Sequence, residues 1–283
     1  MPRLTPLLLA SLLATACSNS SSSPPVPTVV VPFATEAHQP SGSAPIYLND
    51  PILVSFSTQL DLDSVNPSTF VIEEFDATGQ PTLVAVPGTY RLANNGTMLW
   101  FQPDLPTDGT YANGGLRAGR SYRVHVTDNL HDVTGQRLVD ELTFTFQTRT
   151  GLGPAGLFRD RTVFGPARRD FTVPSIPGAA PFSELRLTFD QPIDPAYDNL
   201  LWRIRISYQN PSGPPGAYLS VPTTLELERN TDLEAVIVVR PFGALPSATT
   251  FHVFVAPTLR DLAGQDNTLT PGYDDLFGTF STN

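Results

Sequence analysis

Apolar residues occupy every second position through much of the chain. In Tyr122-Arg123-Val124-His125-Val126 the apolar side chains share one face of an extended segment. Leu142, Phe144 and Phe146 alternate with Thr143, Thr145 and Gln147, and Leu185, Leu187 and Phe189 alternate with Arg186 and Thr188. Arg203-Ile204-Arg205-Ile206 keeps the same period. Period two with one polar face predicts half-buried antiparallel strands. Between two such runs, Asn94-Asn95-Gly96 predicts a tight hairpin turn, because Asn and Gly tolerate positive φ. No window sustains a 3.6-residue period, so the predicted class is all-β. The alternation turns Trp100 away from the Leu99/Phe101 core face, whereas Trp202, opening a strand, is expected in the core.

The two halves repeat one pattern. Phe56-Ser57-Thr58-Gln59-Leu60-Asp61 aligns with Phe189-Asp190-Gln191-Pro192-Ile193-Asp194. Leu116, Tyr122, Leu130, Asp132 and Gly135 then match Leu245, Phe251, Leu259, Asp261 and Gly264, with spacings of 6, 8, 2 and 3 residues in both copies. An offset of 133 residues at the first motif and 129 at the second is far too long for a solenoid repeat and fits a duplicated domain.

Composition narrows the picture. Proline makes up 29 of 283 residues, which disfavours long helices. One cysteine excludes a disulfide framework and any cysteine-built zinc or iron–sulfur site. The net charge is −10 and all 17 basic residues are arginine. Such an acidic chain is repelled by phosphate backbones, so no nucleic-acid partner is expected.

The N-terminus reads as an address. Arg3 precedes an apolar stretch from Leu7 to Ala16 that ends in small residues. Ten helical residues span ~15 Å, half a hydrocarbon core, which makes a signal-peptide core and not a membrane span. Leu13-Ala14-Thr15-Ala16-Cys17 resembles the lipobox of bacterial lipoproteins. That resemblance implies cleavage before Cys17, a covalent lipid on its sulfur, and anchoring to a membrane; Ser18 after it resembles lipoproteins sent to the outer membrane. Several acyl chains, at ~0.8 kcal/mol per buried CH₂, hold a protein to a bilayer almost permanently. Ser18 to Pro25 is a serine- and proline-rich tether.

Further motifs carry a second resemblance. The first copy holds Leu99-Trp100-Phe101-Gln102-Pro103, Leu116 to Tyr122, Asp132-Val133-Thr134-Gly135 and Phe146-Gln147-Thr148. The second holds Val239-Arg240-Pro241, Phe251 to Val255, Asp261-Leu262-Ala263-Gly264 and Phe280-Ser281-Thr282, with Ala248 where the pattern has glycine. Each copy resembles the bacterial Ig-like domain of the S-layer type (SbsA-like). The resemblance implies two tandem antiparallel β-sandwiches. The expected organisation is a signal peptide at 1–16, lipidated cysteine and tether at 17–27, one Ig-like domain at 28–149, a linker at 150–170 and a second domain at 171–283. It also implies a non-enzymatic envelope protein acting as a spacer or as a protein- or glycan-binding surface. The alternative is a carbohydrate-active or hydrolytic enzyme, or its accessory module, which needs paired carboxylates facing a cleft.

Candidate chemistry is sparse. Gly151-Leu152-Gly153-Pro154-Ala155-Gly156 spells a dinucleotide-type glycine pattern, but the chain after it lacks helical periodicity, so linker glycine is the better reading and no cofactor is expected. Asp132 and Asp261 fit turn capping, with Gly135 and Gly264 supplying unusual φ. Asp61, Asp132 and Asp261 are also candidate calcium ligands. His131 beside Asp132 could ligate a metal or act as a base, while His125 and His252 are expected on outward strand positions. Trp100, Arg159 and Arg161 are candidate ligand contacts; for the arginines around 159–169, solvated or ion-paired side chains are the plainer reading.

Overall fold

The computed structural model describes residues 30–151, 153–159, 168–172, 184–266 and 275–282. Cys17, the tether and Arg161 lie outside the described residues. The first half supplies β1 (Thr35–Gln39), β2 (Ile52–Phe56), β3 (Phe70–Phe75), β4 (Pro81–Ala85), β5 (Gly88–Ala93), β6 (Met98–Pro103), β7 (Ser121–Val126) and β8 (Leu142–Gln147). A one-turn helix α1 (Pro154–Leu157) follows. The second half supplies β9 (Arg168–Thr172), β10 (Leu185–Phe189), helix α2 (Tyr197–Leu201), β11 (Ile204–Gln209), β12 (Tyr218–Val221), β13 (Thr223–Asn230), β14 (Ala235–Pro241), β15 (Thr250–Val255) and β16 (Asp275–Ser281).

These strands form antiparallel sheets of order β1-β2-β6-β5 and β4-β3-β7-β8, then β9-β10-β14-β13 and β12-β11-β15-β16. Adding eight to each strand of the first half reproduces the second, so the duplication extends to topology. Each half buries one core between its two sheets. In the first, Ile52, Val54, Phe56, Leu99 and Phe101 meet Phe70, Tyr122, Val124, Val126, Phe144 and Phe146. In the second, Leu185, Leu187, Phe189, Ile237 and Val239 meet Ile204, Ile206, Phe251, Val253 and Val255. These are the inward residues of the alternating runs, and fully burying each contributes about 1.5–3 kcal/mol. The fold class is all-β sandwich, as the alternation predicted.

Local motifs have the same jobs in both copies. The threonine of Phe146-Gln147-Thr148 latches the loop before β7: Thr148 Oγ1 donates to the Arg117 carbonyl at 2.6 Å and accepts from Arg120 N–H at 3.0 Å. Thr282 does this before β15, donating to the Pro246 carbonyl at 2.5 Å and accepting from Thr249 N–H at 3.2 Å. Inside these loops Gly119 has φ +66° and Ala248, its counterpart, φ +50°. The hairpin Asn94-Asn95-Gly96 also takes positive φ throughout, with values of 50°, 54° and 85°, linking β5 to β6 through Ala93 opposite Met98.

Two expectations are corrected. Trp202 is 79 % exposed, because it caps α2 and the strand starts only at Ile204; buried Leu200 and Ile204 take the core positions on either side. The stretch 150–170 is not simply a linker. Leu157 and Phe158 enter the first core, and β9 begins at Arg168, pairing with β10 from Arg168 opposite Phe189 to Thr172 opposite Arg186.

The halves dock through a loop present only in the first copy. Twelve residues separate Pro103 from Leu116, but only three separate Pro241 from Leu245. The longer loop carries Leu105 into the first core beside Leu262 from the second half. Tyr111, held at φ +57°, donates its hydroxyl to Asp194 Oδ1 at 2.9 Å. The Pro106 carbonyl accepts from Asn230 Nδ2 at 2.8 Å, and Arg91 faces Asp232 at 3.6 Å. Equivalent positions in the first copy are free of such a partner loop: Val133, the counterpart of Leu262, is 56 % exposed.

An L-residue in the left-handed region costs ~1–2 kcal/mol, partly offset by its lower unfolded-state entropy relative to glycine. Ala248→Gly is therefore expected to stabilise by about 0.5–1 kcal/mol. Gly119→Ala is expected to destabilise by about 1–2 kcal/mol, since its new Cβ also lies 2.9 Å from Thr150 Cγ2. Paired urea melts check both; a destabilising Ala248→Gly contradicts the assignment of that loop.

Candidate binding groove

Two of the three residues singled out as ligand contacts line one depression on the first sandwich. Trp100 and Arg159 meet Tyr47, Arg149 and the Pro40 and Pro45 turns around a groove of about 650 Å³. Trp100 sits on the outer face of β6 between inward Leu99 and Phe101, as the alternation required. The Arg91 guanidinium stacks on its ring at 4.4 Å, and its indole N–H points toward Gln102 Oε1 at 3.4 Å.

The groove floor is built by the turn 47–50. Asp50 Oδ2 accepts from Tyr47 N–H at 3.0 Å and Asp50 N–H donates to the Tyr47 carbonyl at 3.1 Å. Arg159 grips Asp50 with two hydrogen bonds, at 2.5 and 2.8 Å. Its backbone exchanges hydrogen bonds with the Asn49 side chain at 2.7 and 2.9 Å. Those Asp50 bonds push the guanidinium further above its ordinary range. Arg159 is thus ion-paired, the plainer of its two readings. Arg149 differs. It lies 3.8 Å over the Tyr47 ring, beside Arg159 at 4.7 Å, and among the described residues its solvent-screened Nε has no hydrogen-bond acceptor. Sequence reasoning missed Tyr47 and Arg149; the parallel bridge of Ile46 with Thr148 that brings them together leaves no alternating signature.

The three aspartates have structural partners. Asp132 Oδ1 accepts from Thr134 N–H at 2.9 Å, Thr134 Oγ1 at 2.7 Å and Gln136 N–H at 2.9 Å, while Oδ2 accepts from Thr58 Oγ1 at 3.0 Å and Gln136 Nε2 at 3.2 Å. Burial alone would raise this carboxyl, but the hydrogen bonds outweigh it and hold Asp132 below the usual carboxylate range. Asp261 accepts from Ala263 and Gln265 N–H at 2.9 and 2.8 Å. Gly135 and Gly264 close these turns with φ +83° and +91°. Asp61 accepts from Asp63 N–H at 3.0 Å and lies 3.6 Å from His131 Nδ1. Among the described residues no three His, Cys, Asp or Glu side chains gather as a metal site.

The remaining candidates are placed as follows. His125 pairs with Thr143 Oγ1 at 2.9 Å, and His252 packs edge-on to Tyr218. Gly153 precedes α1, a single turn whose Leu157 is buried, so the glycine run ends in a core contact. A buried polar cluster also escaped the sequence reading. Glu74, 2 % exposed, continues the inward face of β3 and accepts from the Tyr122 hydroxyl at 3.1 Å, with Arg117 at 3.2 Å. In the second copy Tyr208 and Phe251 hold these paired positions as an aromatic contact at 5.4 Å. Burial pushes the Tyr122 hydroxyl well above its ordinary range, with Glu74 adding to the shift.

Residues 29–148 match the bacterial Ig-like domain family. The matched span includes Tyr47, Arg91 and Trp100, whereas Arg149 and Arg159 lie beyond it. Among solved structures, the chain is similar to native alpha-2-macroglobulin from Escherichia coli spanning domains MG0-NIE-MG1, at 13 % identity and TM-score 0.33, covering 79 % of this chain and 66 % of that one. The native conformation of E. coli alpha-2-macroglobulin gives 11 % identity and TM-score 0.34, covering 78 % of this chain and 13 % of that one. The S-layer protein rSbsC gives 12 % identity and TM-score 0.30, covering 85 % of this chain and 34 % of that one. No curated protein matches the chain in sequence.

Asp132→Ala leaves five donors without their acceptor. Hydrogen bonds to a charged group contribute ~1.5–3 kcal/mol each in isolation and are not additive, so a loss of about 2–4 kcal/mol is expected at pH 7. Because the folded carboxyl is held low, its contribution is present above the unfolded value near 3.8 and is lost as pH falls through the folded value. Urea melts of wild type and variant should therefore converge in strongly acidic buffer. A gap that stays constant to pH 2 contradicts the charge-based account.

Proposed function

We propose that this chain is a non-enzymatic lipoprotein of the bacterial envelope, whose paired sandwiches act as a spacer and as a protein- or glycan-binding surface. The Ig-like family match at 29–148 supports an extracellular or envelope setting and a typically non-catalytic module. Among the described residues no helix is long and apolar enough to cross a membrane, and a lipid on Cys17 supplies the attachment. The single observation that carries the spacer reading is the docking of the two halves through Leu105, Tyr111 and Asn230. A spacer that hinges freely transmits position poorly; one whose halves share buried contacts holds its far end at a set distance. The exposed groove around Trp100 supplies the binding half of the proposal.

Radioactive palmitate should label the wild-type chain in membranes, with Cys17→Ser unlabelled and recovered in the soluble fraction. Protease added to intact cells then reads exposure. An unlabelled wild type, freely soluble after secretion, overturns the anchor.

A further inference from the structure

We propose that the groove of the first sandwich binds a carboxylate-bearing sugar, with Arg149 holding the carboxylate and Tyr47 and Trp100 bordering the ring. The inference rests on the surface-binding reading above and deepens it by naming a ligand class.

Charge accounting within the groove singles out Arg149. Asp50 lies in the same depression, but both its oxygens are committed to Arg159 and to Tyr47 N–H. Arg159 is neutralised by that pairing. Arg149 remains as a cation with an aromatic contact and, among the described residues, no ion-pair partner. A planar guanidinium with open donors is the side chain best suited to a carboxylate, which it can grip with two parallel hydrogen bonds.

The rest of the lining favours a sugar over a peptide. Arg149 and Arg159 lie over the Tyr47 ring and Arg91 over Trp100, so a sugar in the groove meets the edges and polar tips of these rings. A peptide adding as a strand needs unpaired backbone donors. Here Ile46 N–H already donates to the Gln147 carbonyl and Arg149 N–H to the Ile46 carbonyl, both at 2.9 Å. Pro40, Pro45 and Pro51 along the rim have no N–H to give. The volume of about 650 Å³ lies in the range of small-ligand sites, ~300–1,000 Å³. The chain's net charge of −10 opposes a dense polyanion, which fits one carboxylate on an otherwise neutral sugar better than a sulfated or phosphorylated polymer.

The test titrates the full chain, purified in detergent, with galacturonate and with its neutral methyl ester, following Trp fluorescence and calorimetric heat. Binding of the acid, at least tenfold weaker binding of the ester, and a loss of about tenfold or more in Arg149→Gln support the assignment. Arg186→Gln, which removes a cation from the second sandwich, should leave binding unchanged, and matched melts of both variants separate lost binding from lost folding. Equal binding of acid and ester, no saccharide binding, or saturation only by a short peptide with a free C-terminus each overturns it. Palmitate labelling that persists alongside absent sugar binding defeats this inference alone, whereas an unlabelled, unexposed chain defeats the surface reading beneath it.

Discussion

The second sandwich is fixed to the first by burying the tip of its Asp–Gly turn. Leu262, one residue after the turn aspartate, is packed in the first half's core, while Val133 at the matching place lies open. Alongside it Asp194 is fully buried under the Tyr111 hydroxyl. Burial raises that carboxyl above its ordinary range despite the hydrogen bonds from Ala196 and Tyr111 and the nearby Arg260. The copies thus differ in two local features at the junction: the first has the longer loop, and the second buries a leucine where the first exposes a valine.

A single cysteine gives no disulfide to hold either sandwich. Stability then rests on the two apolar cores and on side chains that close loops at the sheet ends. Thr148 and Thr282 tie the same loop in each copy, and Asp132 and Asp261 form the same turn. Thr148, Asp132 and Asp261 are buried with partners, the condition under which such groups stabilise instead of costing energy. The motifs shared by the halves are accordingly fold devices, and docking arises where the halves differ. The Tyr122–Glu74 pair, replaced by Phe251 and Tyr208, is a further difference of this kind.

Period-two alternation made the strands and their inward faces legible, matched motif spacings revealed the duplication, and the Asp–Gly turns signalled the positive φ at Gly135 and Gly264. Alternation failed at Trp202 because a helix not signalled by periodicity intervenes before the strand. Docking was illegible for a different reason. Leu105, Tyr111 and Asn230 lie in segments whose partners are over 80 residues away, and no local pattern marks such a pairing. The groove was half legible: Trp100 declared itself by facing outward, whereas Tyr47 and Arg149 meet through a bridge between irregular segments.

Differential scanning calorimetry on the full chain tests the junction most directly. If the buried contacts couple the halves, wild type unfolds in one cooperative transition, and Leu262→Asp separates it into two. Two independent transitions in wild type, unmoved by that substitution, would contradict the account.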